Sequence, residues 1–151
     1  LSLEHTLLDS ESCSLELEKW GPASGSRLWP EYRVAICDDP VSDQDVFLYH
    51  KTTHRAVYES RRNRRPDCRD VILINERGEI TESTIANVAV ILAGQWYTPP
   101  IECGLLPGVY RAHLIKRGIL QEKVLYPDHL RKAGTVTLIN SVRKAWAAFL
   151  V

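Results

Sequence analysis

The chain has 151 residues, 44% of them hydrophobic and 25% charged, with a formal net charge of zero. Its length fits one domain able to bury about 68–70% of the surface its unfolded chain exposes, and argues against a multi-domain machine. The composition excludes a disordered or fibrous chain, and no apolar run reaches the ~18–20 residues of a membrane-spanning helix. There is no Met, position 1 included, and no basic-then-apolar leader, so the expectation is a piece of something longer.

The zero net charge conceals an asymmetry. Residues 1–50 carry 10 acidic and 3 basic side chains, a net of −7; residues 51–151 carry 9 acidic and 16 basic, a net of +7. Either the two stretches neutralise each other within one fold, or the basic one receives an anionic ligand. The four cysteines (Cys13, Cys37, Cys68, Cys103) form no CxxC pair and no Cys/His cluster, so no zinc or thioredoxin-type site is expected. Free thiols in a reducing cytoplasm are the favoured reading.

In chain order, Leu1–Leu8 reads as a helical end and Ser14–Trp20 as a short alternating strand, before a loop-like break at Gly21–Ser26. Tyr32–Cys37 reads as a strand ended by Asp38-Asp39-Pro40. Asp45–Asn63 is helical in its later part, with a basic end over Arg61–Arg65 that suits a helix C-terminus better than a nucleic-acid patch. Val71–Asn75 with Glu79–Ser83, and Ala86–Leu92 with Trp96–Thr98, read as two hairpins around glycine turns. Gly104–Gly108 is a glycine/proline loop leading into a helix over Val109–Arg117. A strand over Glu122–Tyr126, a helical turn over Pro127–Lys132, and strands over Thr135–Asn140 and Lys144–Val151 complete an α+β (mixed α/β) pattern.

Four stretches have chemical character. His50-Lys51-Thr-Thr-His54 lacks the Glu that a zincin needs after its first His, so no metal site is assigned. A half-buried Lys51 would instead have its pKa lowered and its amine made nucleophilic. Ile80–Val88, with Glu82 and Asn87, ends a strand in small hydroxyl and amide residues. Gly104-Leu-Leu-Pro-Gly-Val-Tyr-Arg111 brings a glycine turn onto a helix N-terminus, a seat for phosphate, without the glycine patterns of ATP or dinucleotide sites. Asn140-Ser141-Val-Arg143 joins two strands and offers a hydroxyl.

In this order, HKTTHR, ITESTIANV, CGLLPGVYR and LINSVR resemble the class IV aminotransferase-like family, the fold-type-IV pyridoxal-phosphate proteins. Within it the wording is most similar to aminodeoxychorismate lyases, including lyase domains fused to a chorismate-aminating synthase subunit. The resemblance covers residues 32–151.

It implies the large C-terminal domain of the D-amino-acid aminotransferase-like fold over 31–151, with 1–30 a linker or a remnant of a small N-terminal domain that is mostly absent. It also implies pyridoxal 5'-phosphate as cofactor. Lys51 would hold it through a Schiff base and then shuttle protons; Glu82 would pair with the pyridine nitrogen. The phosphate would meet Val109 and Tyr110, by backbone rather than by the tyrosine side chain, together with Asn140 and Ser141. Asn87 and Arg111 match positions read as structural. Arg55 and Arg143, each beside a motif, would receive the carboxylates of a small anionic substrate.

The reaction so implied converts 4-amino-4-deoxychorismate to 4-aminobenzoate and pyruvate. The alternatives are a transaminase for D- or branched-chain amino acids, and a truncated non-catalytic domain of the same fold. A homodimer, with no nucleic-acid or membrane partner, completes the expectation.

Overall fold

The computed structural model describes residues 32–44 and 55–151. The readings made for residues 1–30 and for 45–54, Lys51 among them, lie outside the described residues. The described elements are β1 (Arg33–Ile36), α1 (Ala56–Arg62), β2 (Asp70–Ile74), β3 (Ile80–Ser83), β4 (Asn87–Leu92), β5 (Gln95–Thr98), a 3-10 turn (Ile101–Cys103), α2 (Val109–Lys116), β6 (Leu120–Glu122), α3 (Pro127–Ala133), β7 (Thr135–Asn140) and β8 (Lys144–Leu150). This is the expected α+β mixture, and both hairpins form where the glycine turns place them. In the first, Gly78 takes φ +77°, which a glycine adopts without penalty, and the Asn75 side chain caps the turn by accepting from the N–H groups of Arg77 and Glu79.

One expected strand is misplaced. The reading over Glu122–Tyr126 begins where the actual strand ends. Leu120, Gln121 and Glu122 pair with Trp96, Tyr97 and Thr98 of β5 in parallel register, Leu120 being buried opposite Trp96. Beyond Lys123, whose N–H still reaches the Thr98 carbonyl, the Leu125 carbonyl turns to accept from Ile80 (2.7 Å). Pro127 then opens α3, where its missing N–H is no loss.

The sheet order is β3-β2-β1-β8-β7-β4-β5-β6, and β3 also pairs with β4. That pairing closes β3, β2, β1, β8, β7 and β4 into a ring, with β5 and β6 extending from it. The ring's interior takes alternate residues from all six strands: Val34, Ile72, Ile80, Val88, Val90, Val136, Leu138, Trp146 and Ala148, sealed by Leu125 and by Leu130 of α3. The opposite set packs outward. Ala89, Ile139 and Ala145 receive Tyr110 and Leu114 of α2, while Val71 and Leu73 receive Tyr58 of α1.

Strict alternation would send Glu82 to the same interior face as Ile80. It does not go there, because the register shifts between Ile72↔Ser83 and Ile74↔Ile80. Thr81 and Glu82 together oppose Leu73 alone, a β-bulge. The bulge turns Glu82 outward, onto the face covered by α1.

Charge from the acidic stretch meets charge from the basic one. Asp39 pairs with Arg61 (3.4 Å) and Arg64 (3.0 Å), and Asp43 pairs with Arg77. Arg61 also donates to the carbonyls of Asp39 and Pro40, and Arg65 pairs with Asp67, so much of the arginine run is engaged within the fold. Cys37, Cys68 and Cys103 are free thiols. No helix among the described residues is long and apolar enough to cross a membrane.

Candidate active site

Three connections converge at one end of the ring: the β3–β4 turn, the glycine/proline loop ahead of α2, and the β7–β8 turn. Glu82 is the last-but-one residue of β3 and is 4% exposed. Its carboxylate accepts the Tyr58 hydroxyl at Oε2 (3.1 Å) and the Leu106 N–H at both oxygens (3.3 and 3.2 Å). Burial pushes its pKa up to about 8, and the nearby Asp70 adds to the rise; the Leu106 N–H, the Tyr58 hydroxyl and Arg55 act against it. The two donors among the described residues leave part of the roughly four lone-pair sites of a carboxylate unused. Glu82 is therefore a buried acid with acceptor capacity to spare.

Asn87 faces Glu82 across the ladder as its direct partner on β4. Its Nδ2 donates to the Leu106 carbonyl (2.9 Å). A single peptide segment is thus held at its N–H by one side chain and at its carbonyl by the neighbouring one. Gly108 passes so close to Asn87 Oδ1 that a Cβ there would collide with it. Its φ of −60° is open to any residue, so close approach and not backbone freedom demands the glycine. Gly108 is also the N-cap of α2 and supplies no side-chain cap. The first N–H groups of α2 consequently keep their capacity for an anion, reinforced by the helix dipole.

Val109 opens α2 and is 77% exposed. Tyr110 is buried, its ring stacked on His113 (6.3 Å between centroids) with the Lys144 ammonium above it (5.1 Å). The Tyr110 ring is thus packed between His113 and Lys144. Asn140 ends β7, accepts from the N–H groups of Val142 and Arg143 and donates to the Ile85 carbonyl (3.3 Å), which ties the β7–β8 turn to the β3–β4 turn. Ser141 lies exposed in that turn.

Arg55, the N-cap of α1, is half-buried. It donates to the Thr84 carbonyl (2.6 Å) and lies over the Tyr58 ring (5.1 Å to the centroid). Arg143 is exposed and lies over Trp146 (5.4 Å) at the mouth of the ring. Asp70 holds Thr84 by accepting its N–H and its hydroxyl at Oδ1, while Oδ2, also buried, has no partner among the described residues. Arg111 is 3% exposed and donates to the Pro99 carbonyl and to Glu122 (2.9 Å each), a bracing role that matches its structural reading. Among the described residues no cluster of His, Cys, Asp and Glu could hold a metal ion.

The structure brings Glu82, Asn87, Val109, Tyr110, Asn140, Ser141 and Arg55 to one end of the ring; Lys51 lies outside the described residues. Tyr58, whose hydroxyl donates to Glu82, is not among the residues singled out from the sequence; once buried, a phenol needs a polar partner, and Glu82 supplies it.

The family model for amino-transferase class IV matches residues 12–148. A protein of Schizosaccharomyces pombe named "Putative aminodeoxychorismate lyase" is 38% identical over 128 residues, which span 80% of this chain and 55% of that protein. Among solved structures, a "Putative amino-acid aminotransferase" from Mesorhizobium loti is 37% identical, with a TM-score of 0.73 over 78% of this chain and 58% of that one. The 4-amino-4-deoxychorismate lyase of Pseudomonas aeruginosa is 20% identical with a TM-score of 0.68, over 80% of this chain and 47% of that one, a likeness of fold. The chain spans about half the length of the relatives it matches.

Proposed function

The chain belongs to the amino-transferase class IV family, and from that premise we propose that it is the large domain of a pyridoxal-phosphate-dependent lyase converting 4-amino-4-deoxychorismate to 4-aminobenzoate and pyruvate. The observation that carries the reading is Glu82: a buried carboxylate with spare acceptor capacity, one loop away from an uncapped helix N-terminus. A cationic N–H and a phosphate on one planar ligand match that pair of sites. The residues present therefore fit the cofactor.

Bound there, pyridoxal phosphate supplies an electron sink for a substrate carbanion, a deeper one when its ring nitrogen is protonated. Glu82 would pair with that nitrogen and hold a proton there. Water is excluded from Glu82 by Tyr58 and the Leu106 segment, which strengthens the charge interaction it can make. The backbone N–H groups of Val109 and Tyr110, with Asn140 and Ser141, would receive the phosphate. Lys51 would hold the cofactor, and its amine would carry the substrate proton. The substrate's carboxylates fall to Arg55 and Arg143. The Arg55 guanidinium has five N–H donors, and its bond to Thr84 uses one of them. A cytoplasmic homodimer, in some settings fused to a synthase subunit, is part of the same proposal.

Lyase over transaminase is supported by the Schizosaccharomyces pombe relative. The 37% identity to the Mesorhizobium loti structure favours the second reading, a class IV transaminase. Supplying the chain with pyridoxal phosphate and 4-amino-4-deoxychorismate separates them. The lyase reading expects 4-aminobenzoate and pyruvate in equal amounts, lost in Lys51→Ala. Amino-group exchange between an amino acid and a keto acid, with no 4-aminobenzoate, supports the transaminase instead.

A further inference from the structure

A residue outside the four motifs controls the acid at the centre of the site. Glu82 has only two hydrogen-bond donors among the described residues, and one of them, the Leu106 N–H, is shared between both oxygens at 3.3 and 3.2 Å. Shared bonds of that length fix a carboxylate poorly. The Tyr58 hydroxyl is the donor that selects one oxygen, Oε2 at 3.1 Å, from a ring packed with Val71 and Leu73. Arg55 lies 5.1 Å over that ring, and a cation on the face of a phenol draws electron density from it and strengthens its hydroxyl as a donor.

We propose that Tyr58 is a positioning residue that orients the Glu82 carboxylate, engaging Oε2 so that Oε1 is left to face a protonated ring nitrogen, with Arg55 strengthening the bond from behind. The proposal rests on the cofactor reading above, but its first consequence concerns the empty protein. A hydrogen bond to the ionised form favours that form, so the Tyr58 hydroxyl holds Glu82 more ionised than burial alone would allow. Among the described residues, the other charged groups acting on Glu82 are Arg55, which favours ionisation, and Asp70, which opposes it; the Leu106 loop contributes its N–H. None of these is altered by removing one hydroxyl.

The experiment follows the Glu82 carboxyl carbon by NMR through a pH titration of the full chain without cofactor. Tyr58→Phe is expected to raise the titration midpoint, and 3-fluorotyrosine introduced at position 58, a stronger donor in nearly the same volume, to lower it. Midpoints that stay put, or that move the same way, overturn the proposal. If Tyr58→Phe does not fold, the fluorinated protein alone decides: a fall supports the proposal, no change overturns it.

Cofactor binding gives the second readout. Tyr58→Phe is expected to weaken pyridoxal phosphate about tenfold, as loss of one bond to a charged group does, yet leave the 1-deaza analogue, which has no ring nitrogen, unaffected. Equal loss for both ligands means that Tyr58 only shapes the pocket, and overturns the proposal. Should the wild-type chain bind neither ligand in a Lys51-dependent way, the cofactor reading fails, while the cofactor-free titration still decides the role of Tyr58.

Discussion

A glutamate buried beneath a tyrosine and a backbone amide is easier to keep neutral than charged, and that gives Glu82 a signature in stability as well as in catalysis. Its pKa in the folded chain, about 8, lies above the ordinary 4.5. A folded pKa above the unfolded one means that the folded state binds the proton more tightly. The associated stability is complete below about pH 4.5 and is lost as pH rises toward 8, at up to about 1.4 kcal/mol per pH unit. Glu82→Gln keeps the shape, can accept from Leu106 through its oxygen, and does not ionise. Urea unfolding should therefore show the variant gaining on wild type between pH 5 and pH 8, with product formation reduced on the order of a hundredfold. Parallel pH profiles would mean that Glu82 is not the group that titrates. The glutamate itself was legible in the sequence because it stands inside a recognisable run of residues. Tyr58 was not, because a hydroxyl's partner 24 positions away leaves no trace in local periodicity.

At the scale of elements, the site depends on two local departures from regularity. The bulge on β3 turns Glu82 away from the ring interior, and alternation alone predicts the wrong face for it. The close approach of Gly108 to Asn87 seats the loop ahead of α2 on β4. Gly108→Ala should destabilise the chain by about 1–3 kcal/mol, because its methyl displaces either the loop or the Asn87 side chain. Adding Asn87→Ser should recover part of that loss, a non-additivity that thermal unfolding of the two single variants and the double variant would measure. Arg111 braces the far end of the same segment. Arg111→Leu leaves the buried Pro99 carbonyl without its donor, and a loss of about 2–3 kcal/mol in urea unfolding is expected, with little rescue by Lys. Strand and helix positions were readable from apolar alternation and from glycine and proline. The extent of β6 was not, because Leu120 becomes a strand residue only by pairing with Trp96.

Across the whole molecule, the ring of six strands and its outer helices form one scaffold that carries the three converging turns. The ordered motifs announced the family, and that much was legible from residues alone. Closure of the ring was not, because the β3–β4 contact is a single residue pair, Glu82 with Asn87, inside a stretch that otherwise reads as a turn between two hairpins. The zero net charge now has a partial structural account: Asp39 and Asp43 of the acidic stretch bind arginines of the basic one. Such surface pairs contribute little each, and they leave the end of the ring that holds Arg55, Arg143 and the α2 N-terminus suited to anions. The central claim, that this scaffold holds pyridoxal phosphate with Lys51 as its covalent anchor and Glu82 as its acid, is tested most directly by the visible absorption spectrum of the purified chain mixed with pyridoxal phosphate. A protein-bound band that is present in wild type and absent in Lys51→Ala is the result expected. No band, or the same band in both proteins, would contradict it.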